Sequence, residues 1–315
     1  MNSFLLKKID SYPHLNKLVC AVLEIWPAHS KNIEIRFKND TEENFKKNEE
    51  LSALILKIID SDLSSYSEDY KWMCENFIEE LLYFRRHDEY QIKTFEEANR
   101  KIYSNPAYMS RYVKGILLSQ VLWKNHSQAI DLFKNNFLNK NKNGYDHLEI
   151  GPGHGLFFYF SSRDKKRKSI TGWDVSESSI LATKKTLATL GVQSQDYQLN
   201  LQDILTNQEF SEQFDSAIIS EVLEHIETPN VALKTLFKVL RPGGRIFINI
   251  PVNSPAPDHI FLWRTTDEVL NLIKSIGFLI EEEHYFPPLN YTVDEARKKK
   301  LDISCIIIAR KQEIL

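Results

Sequence analysis

The chain has 315 residues, 42% hydrophobic and 26% charged, the make-up of an ordinary folded protein with one large domain or two smaller ones. Its 40 Lys and Arg against 43 Asp and Glu leave a net charge of −3, too little positive charge for sequence-independent nucleic-acid binding. Apolar runs such as 305–309 fall far short of the roughly 20 residues that cross a membrane, and three scattered cysteines without metal or disulfide spacing point to the cytoplasm.

From the start of the chain, residues 1–7 have too short an apolar core for a signal peptide. Residues 1–140 then carry helical periods and almost no strand signal. Leu15, Leu18, Val19, Val22 and Leu23 repeat at 3.6-residue spacing, as do Leu51, Leu54, Ile55, Ile58 and Ile59. Thr94 and Glu97 have the spacing of a capping box, opening a helix that Asn105-Pro106 ends. One long helical pattern is expected from Tyr108 to Leu138. This half holds 20 basic and 20 acidic residues, so it is neutral.

The polar tract 139–144 marks a domain boundary near residue 140. Beyond it, apolar strands (147–150, 169–174, 197–199, 214–219, 245–250) alternate with helical stretches near 155–162, 176–190, 229–240 and 266–276. Such alternation predicts βαβ units and a mostly parallel sheet with helices on both faces. Two further strands, 278–285 and 302–310, follow with no clear helical crossover between them, so they should pair antiparallel.

The first strand runs into Gly151-Pro-Gly153-His-Gly155. The glycines allow a tight turn and close approach to a ligand, and the helix behind them presents free N–H groups. Leu156 stands where a dinucleotide fingerprint would place its third glycine, which weakens that reading. Asp174 ends the second strand 23 residues after Gly151, where an acid can accept hydrogen bonds from both hydroxyls of a ribose. Asp203 follows the third strand, placed to accept from an adenine amino group.

With the segments 214–226 and 240–245, these residues closely resemble the class I S-adenosylmethionine-dependent methyltransferases over about 145–310. The resemblance implies a Rossmann-like seven-stranded α/β sheet with an antiparallel last strand, and the helical periods of 1–140 place an N-terminal all-helical domain over it. The resemblance also implies S-adenosylmethionine as cofactor. Glu149, Gly151, Gly153 and Gly155 would surround its methionine moiety, Asp174 and Val175 the ribose, and Asp203 and Ile204 the adenine. Ser220 and Glu221 would lie beside the sulfonium and the substrate entrance.

Two readings of the chemistry follow. Glu221, Glu224 and His225 share one face if their segment is helical. With His259 they resemble the site of small-RNA terminal 2′-O-methyltransferases, in which two Glu and two His hold a divalent metal. The same Glu-x-x-Glu-His pattern recurs in ubiquinone-pathway and natural-product O-methyltransferases without implying a metal, and there His225 or His259, with Glu221 beside them, would be catalytic through proton transfer. The basic runs 165–168 and 297–300 read as solvated surface, which argues against an RNA partner. The helical half is expected to cover the carboxyl ends of the strands as a substrate lid, with Tyr108, Tyr112 and Trp123 on one side of a small-molecule acceptor and Trp263 and Arg264 on the other. Dimerisation or carrier-protein docking through the helices, and an inactive cofactor-binding regulator, are the alternatives.

Overall fold

A computed structural model describes residues 8–206 and 211–312; residues 1–7, the segment too short for a signal peptide, lie outside the described residues. The N-terminal half is helical: α1 (Pro13–Ile25), α2 (Ser30–Phe37), α3 (Glu42–Ile59), α4 (Leu63–His87), α5 (Phe95–Ala98), α6 (Pro106–Leu122) and α7 (Lys124–Leu132). Their starts follow capping chemistry. Thr41 accepts the Asn44 N–H in a reciprocal box, Thr94 accepts the Glu97 N–H, and Asn105 accepts the Tyr108 N–H with Pro106 in the first turn.

The long helix expected over 108–138 is broken. Trp123 has an extended backbone (φ −106°, ψ 127°) between α6 and α7, and Phe133–Phe137 continue as a π-helical turn. The Trp123 indole N–H donates to the Tyr70 hydroxyl at 3.1 Å, a tertiary bond that fixes the break. Apolar periodicity runs straight through it because the residues on both sides stay buried.

The second half holds β1 (Tyr145–Ile150), α8 (Leu156–Arg163), β2 (Arg167–Asp174), α9 (Glu177–Thr189), β3 (Gln198–Leu201), β4 (Phe214–Ser220), α10 (Pro229–Val239), β5 (Leu240–Val252), α11 (Thr266–Ile276), β6 (Phe278–Phe286), α12 (Val293–Lys299) and β7 (Ile303–Lys311). The sheet has seven strands in the order β3-β2-β1-β4-β5-β7-β6, with β7 antiparallel to both of its neighbours. Between β6 and β7 lies the short helix α12, which the sequence reading leaves out. The basic run of 297–300 closes it, and Lys300 pairs with Asp88 at 3.1 Å.

Alternate residues of each strand feed opposite cores. Ile218, Phe247, Ile306 and Ile308 pack with Phe133, Phe137 and Phe157, in one hydrophobic cluster that continues through the helical half. Ala217, Ile219, Ile246, Ile248 and Ile307 pack on the other face, against α10 and α11. The two halves of the chain therefore share a core, and each buried Ile or Phe in it contributes about 1.5–3 kcal/mol. That packing sets α6 and α7 against the carboxyl ends of the parallel strands.

Candidate active site

A cavity of ≈ 410 Å³ opens at those strand ends. One end is built by the turn after β1. Gly151, Gly153 and Gly155 all have positive φ (67°, 52° and 81°), and a Cβ on Gly151 would meet Val222 Cγ2 at 2.6 Å. Helix α9 pins the turn from below: Thr183 Oγ1 donates to the Gly153 carbonyl at 3.0 Å, and Thr186 Oγ1 to the His154 carbonyl at 2.8 Å. Gly155 supports α8 behind the wall, and Leu156 is the first residue of that helix, fully buried.

Glu149, Gly151, Gly153, Asp174, Val175, Asp203, Ile204, Ser220 and Glu221 all line this cavity. Asp174 is 9% exposed and accepts the Ser176 N–H at 2.9 Å; burial pushes its carboxyl up to about 6. Glu149 is buried with Oε2 unpartnered, and burial raises it well above the usual carboxylate range. Asp203 accepts the Leu205 N–H through Oδ1. An open glycine turn, a buried acid at the end of β2 and a further acid after β3 fit S-adenosylmethionine.

Beyond the cradle, the segment 221–225 is not one continuous helix. Glu221 is left-handed (φ 54°), and only Leu223–His225 make a helical turn. Its N–H donates to the Asn249 carbonyl, which holds this strained conformation where β4 ends. One face of a helix therefore does not bring Glu221, Glu224 and His225 together. Glu224, His225 and His259 still meet, with donor atoms within 4.8 Å of one another and Glu221 outside the set.

The tautomers of both histidines follow from their partners. His225 Nδ1 donates to the Asp258 carbonyl at 3.0 Å, and His259 Nδ1 donates to the Ser254 carbonyl at 2.6 Å. The bare Nε2 atoms then lie 3.5 and 3.9 Å from Glu224 Oε1. Glu224 is fully buried and neither of its oxygens has a hydrogen-bond partner. Burial raises its carboxyl well above the usual range, and burial lowers His259 to about 3. Three acceptors facing one another repel unless a cation or proton lies between them, so the donor set fits a divalent metal.

Three side chains named by no sequence motif complete the cavity. Asp302 lies just before β7; because β7 runs antiparallel, its start falls at the same edge as the ends of the parallel strands. Burial pushes it up to about 7, and Glu221 up to about 8 with Asp302 adding to the shift. Asn249 and Tyr103 join it on the wall. Of the expected acceptor contacts, Tyr112 and Trp123 line the cavity, along with Ile116, Gln120 and His126.

Tyr108, Trp263 and Arg264 do not line it. Tyr108 packs edge-on to Trp72 at 4.8 Å. Trp263 is 3% exposed in the core against α11 and beside Phe261. Arg264 is drawn away to Asp88, donating to its carboxylate at 3.0 Å and to its carbonyl at 2.9 Å. No described helix is long and apolar enough to cross a membrane.

Residues 148–246 match the family described as "Methyltransferase domain". Ubiquinone biosynthesis O-methyltransferase of Pseudomonas syringae pv. tomato is 25% identical over 126 residues, 40% of this chain and 52% of the relative. Its counterpart in Pseudomonas fluorescens (strain Pf0-1) is 25% identical over 108 residues, 34% of this chain and 45% of the relative. The chain thus spans about half the length of the curated relatives it matches. Among solved structures, Haemonchus contortus phosphoethanolamine N-methyltransferase 2 with S-adenosyl-L-methionine superposes with a TM-score of 0.52 at 12% identity, covering 71% of this chain and 61% of that one. A chain from the complex of the Haloferax volcanii Trm112 methyltransferase activator with a methyltransferase gives 0.52 at 13% identity, covering 66% and 96%. The structures share the fold, and residues 148–246 carry a methyltransferase domain, which with these relatives supports a class I S-adenosylmethionine-dependent methyltransferase.

Proposed function

We propose that the protein is an enzyme that transfers the methyl group of S-adenosylmethionine to an oxygen or nitrogen of an uncharged or cationic small molecule. One observation carries the choice of acceptor. The cavity runs unbroken from the cofactor cradle to a chamber walled by Phe77, Tyr112, Trp123 and Met109, and no Lys or Arg is among its described lining residues. Eight acidic side chains and four histidines line it instead. A phosphate, a carboxylate or an RNA terminus would find no cationic side chain to pair with there. The curated relatives are named as O-methyltransferases, which supports oxygen as the accepting atom.

When bound, the cofactor supplies an electrophilic methyl group on a sulfonium. Asp174 and Asp203 provide acceptors for hydroxyl and amino donors. The aromatic walls exclude water and hold the acceptor in one orientation, where much of the rate of an in-line displacement arises. His225, with a bare Nε2 at the cavity, can take the acceptor's proton, whereas burial leaves His259 too weak a base to share that role. A second reading is favoured by the unpartnered oxygens of Glu224: with the two imidazoles they would hold a divalent ion, which would ease loss of a proton from a bound hydroxyl.

The test is release of S-adenosylhomocysteine with a panel of phenols, vicinal diols and amines, each set beside a phosphorylated or carboxylated counterpart. Turnover confined to the anionic members, or to RNA termini, would overturn the reading. Metal analysis of the purified protein, with Glu224→Gln as control, separates the metal reading from histidine-assisted transfer.

A further inference from the structure

The Asp258 carboxylate is given no individual role above, yet Asp258 is 1% exposed and lies on the cavity wall. Its carboxylate accepts from two phenols of the helical half. Tyr103 Oη donates to Oδ2 at 3.2 Å, and Tyr112 Oη donates to Oδ1 at 3.1 Å. Its main-chain carbonyl accepts a hydrogen bond from the His225 Nδ1–H, and Oδ2 lies 3.5 Å from that same nitrogen. The Tyr103 ring stands edge-on to the His225 imidazole with centroids 6.2 Å apart.

The surrounding loop is tied to the same turn. The N–H groups of Ile260 and Phe261 both donate to the Glu224 carbonyl at 2.9 Å. From the other side, Glu227 accepts the Phe95 N–H at 2.8 Å, so the helical half grips the turn of 223–228 directly as well.

We propose that Tyr103 and Tyr112 are positioning residues which, by holding Asp258, keep the proton of His225 on Nδ1 and its bare Nε2 facing the cavity. The helical half then completes the reaction centre as well as covering it. The inference rests on the proposed function for what His225 does there, but not for where its proton lies.

The physical case is one of satisfaction. With no Lys or Arg among the cavity's described lining residues, a buried carboxylate depends on neutral donors, and these two phenols are the side-chain hydroxyls that reach it. Burial keeps both phenols well above their ordinary range, so they remain donors. Without the two hydroxyls, Asp258 is left buried and under-satisfied, and the loop must shift to hydrate it. The His225 Nδ1–H bond ends on the carbonyl of that same residue, so the imidazole loses the contact that selects its tautomer.

The experiment uses the full chain labelled with ¹⁵N-histidine, with His225 assigned among the nine histidines through His225→Gln. In the unsubstituted protein, the nitrogen shifts of His225 should read as a protonated Nδ1 and a bare Nε2. In the Tyr103→Phe, Tyr112→Phe double variant they should move toward a common average. His147, anchored in the core on Ser216, should not move. Manganese affinity, measured on the same samples, should fall 10–100-fold. Cofactor affinity reports that the fold is intact, and each single Tyr→Phe variant is measured alongside in case the double fails to fold. A His225 that keeps one tautomer in an intact variant overturns the proposal. If the unsubstituted protein binds no manganese, the metal reading fails, while the nitrogen shifts still decide the positioning role.

Discussion

Asp174→Asn separates a cofactor-binding acid from a structural one, because the substitution should move affinity and stability in opposite directions. The carboxyl is 9% exposed at the end of β2, and burial raises it from 3.8 to about 6. A raised acid binds more protons folded than unfolded. Its unfavourable contribution therefore grows as pH rises from about 4 to about 6 and is fully present above that. Two pH units correspond to about 3 kcal/mol, which the neutral amide relieves in the cofactor-free protein at pH 8. Asn also keeps the Oδ1 that accepts the Ser176 N–H, so the turn survives. Bound cofactor reverses the balance: the carboxylate would accept from ribose hydroxyls, and charge-assisted bonds of this kind contribute about 1.5–3 kcal/mol. The variant should melt at or above the parent without cofactor, yet bind S-adenosylhomocysteine about 10–100-fold more weakly by calorimetry. Unchanged affinity would remove Asp174 from the site. Loss of both affinity and melting temperature would make it a structural residue.

Other outcomes follow from the same geometry. Asp302 has a folded value raised to about 7, so the cofactor-free protein should lose stability as pH rises from about 4 to about 7. Asp302→Asn should flatten that slope by about 2–4 kcal/mol, read from urea unfolding at a series of pH values; an unaltered slope would mean the carboxyl is not isolated. Gly151→Ala places a Cβ 2.6 Å from Val222 at φ 67°, and should abolish measurable cofactor binding while leaving helical circular dichroism intact. If Glu224, His225 and His259 hold a metal, Glu224→Gln should lower its affinity at least tenfold, while Arg264→Ala, off the cavity and paired with Asp88, should leave it unchanged.

What could be read in the sequence was whatever is decided locally. Alternating apolar residues define β1, β4 and β5 because each strand feeds two cores, and the glycines before α8 mark a turn no other residue can make. Asp174 and Asp203 stand at strand ends, so spacing alone places them. Asp302 escaped because only the antiparallel direction of β7 carries its start to the active edge. Tyr103 escaped for a related reason: it lies in a π-helical turn between α5 and α6, and its importance comes from a contact 155 residues away. The condition that 221–225 be helical is not met, because local spacing says nothing of the strained φ that the end of β4 imposes on Glu221. Trp263 and Arg264, expected on the acceptor's far wall, go elsewhere through contacts that spacing does not show: one enters the core while the other pairs with Asp88.

Whole-chain charge hides the feature that bears most on the acceptor. A net of −3 suggests near-neutrality, but the cavity gathers eight acids and no described Lys or Arg, so the compensating cations lie elsewhere. An anionic group lying about 6 Å from one carboxylate that stays charged near neutral pH, as Asp174 does with its value of about 6, meets about 3 kcal/mol of repulsion at an effective dielectric of about 20. That is a penalty of more than a hundredfold for each such pair. A matched pair of acceptors, one neutral and one bearing a carboxylate away from the reacting atom, should therefore differ by at least that factor in kcat/KM. Because the charges are enclosed, raising ionic strength should narrow the gap only slightly. Equal kcat/KM for the two would mean that the acids are neutralised in the working enzyme, by protons or by a bound cation. A gap that collapses with salt would place the discrimination at the cavity mouth and leave the chamber open to anions.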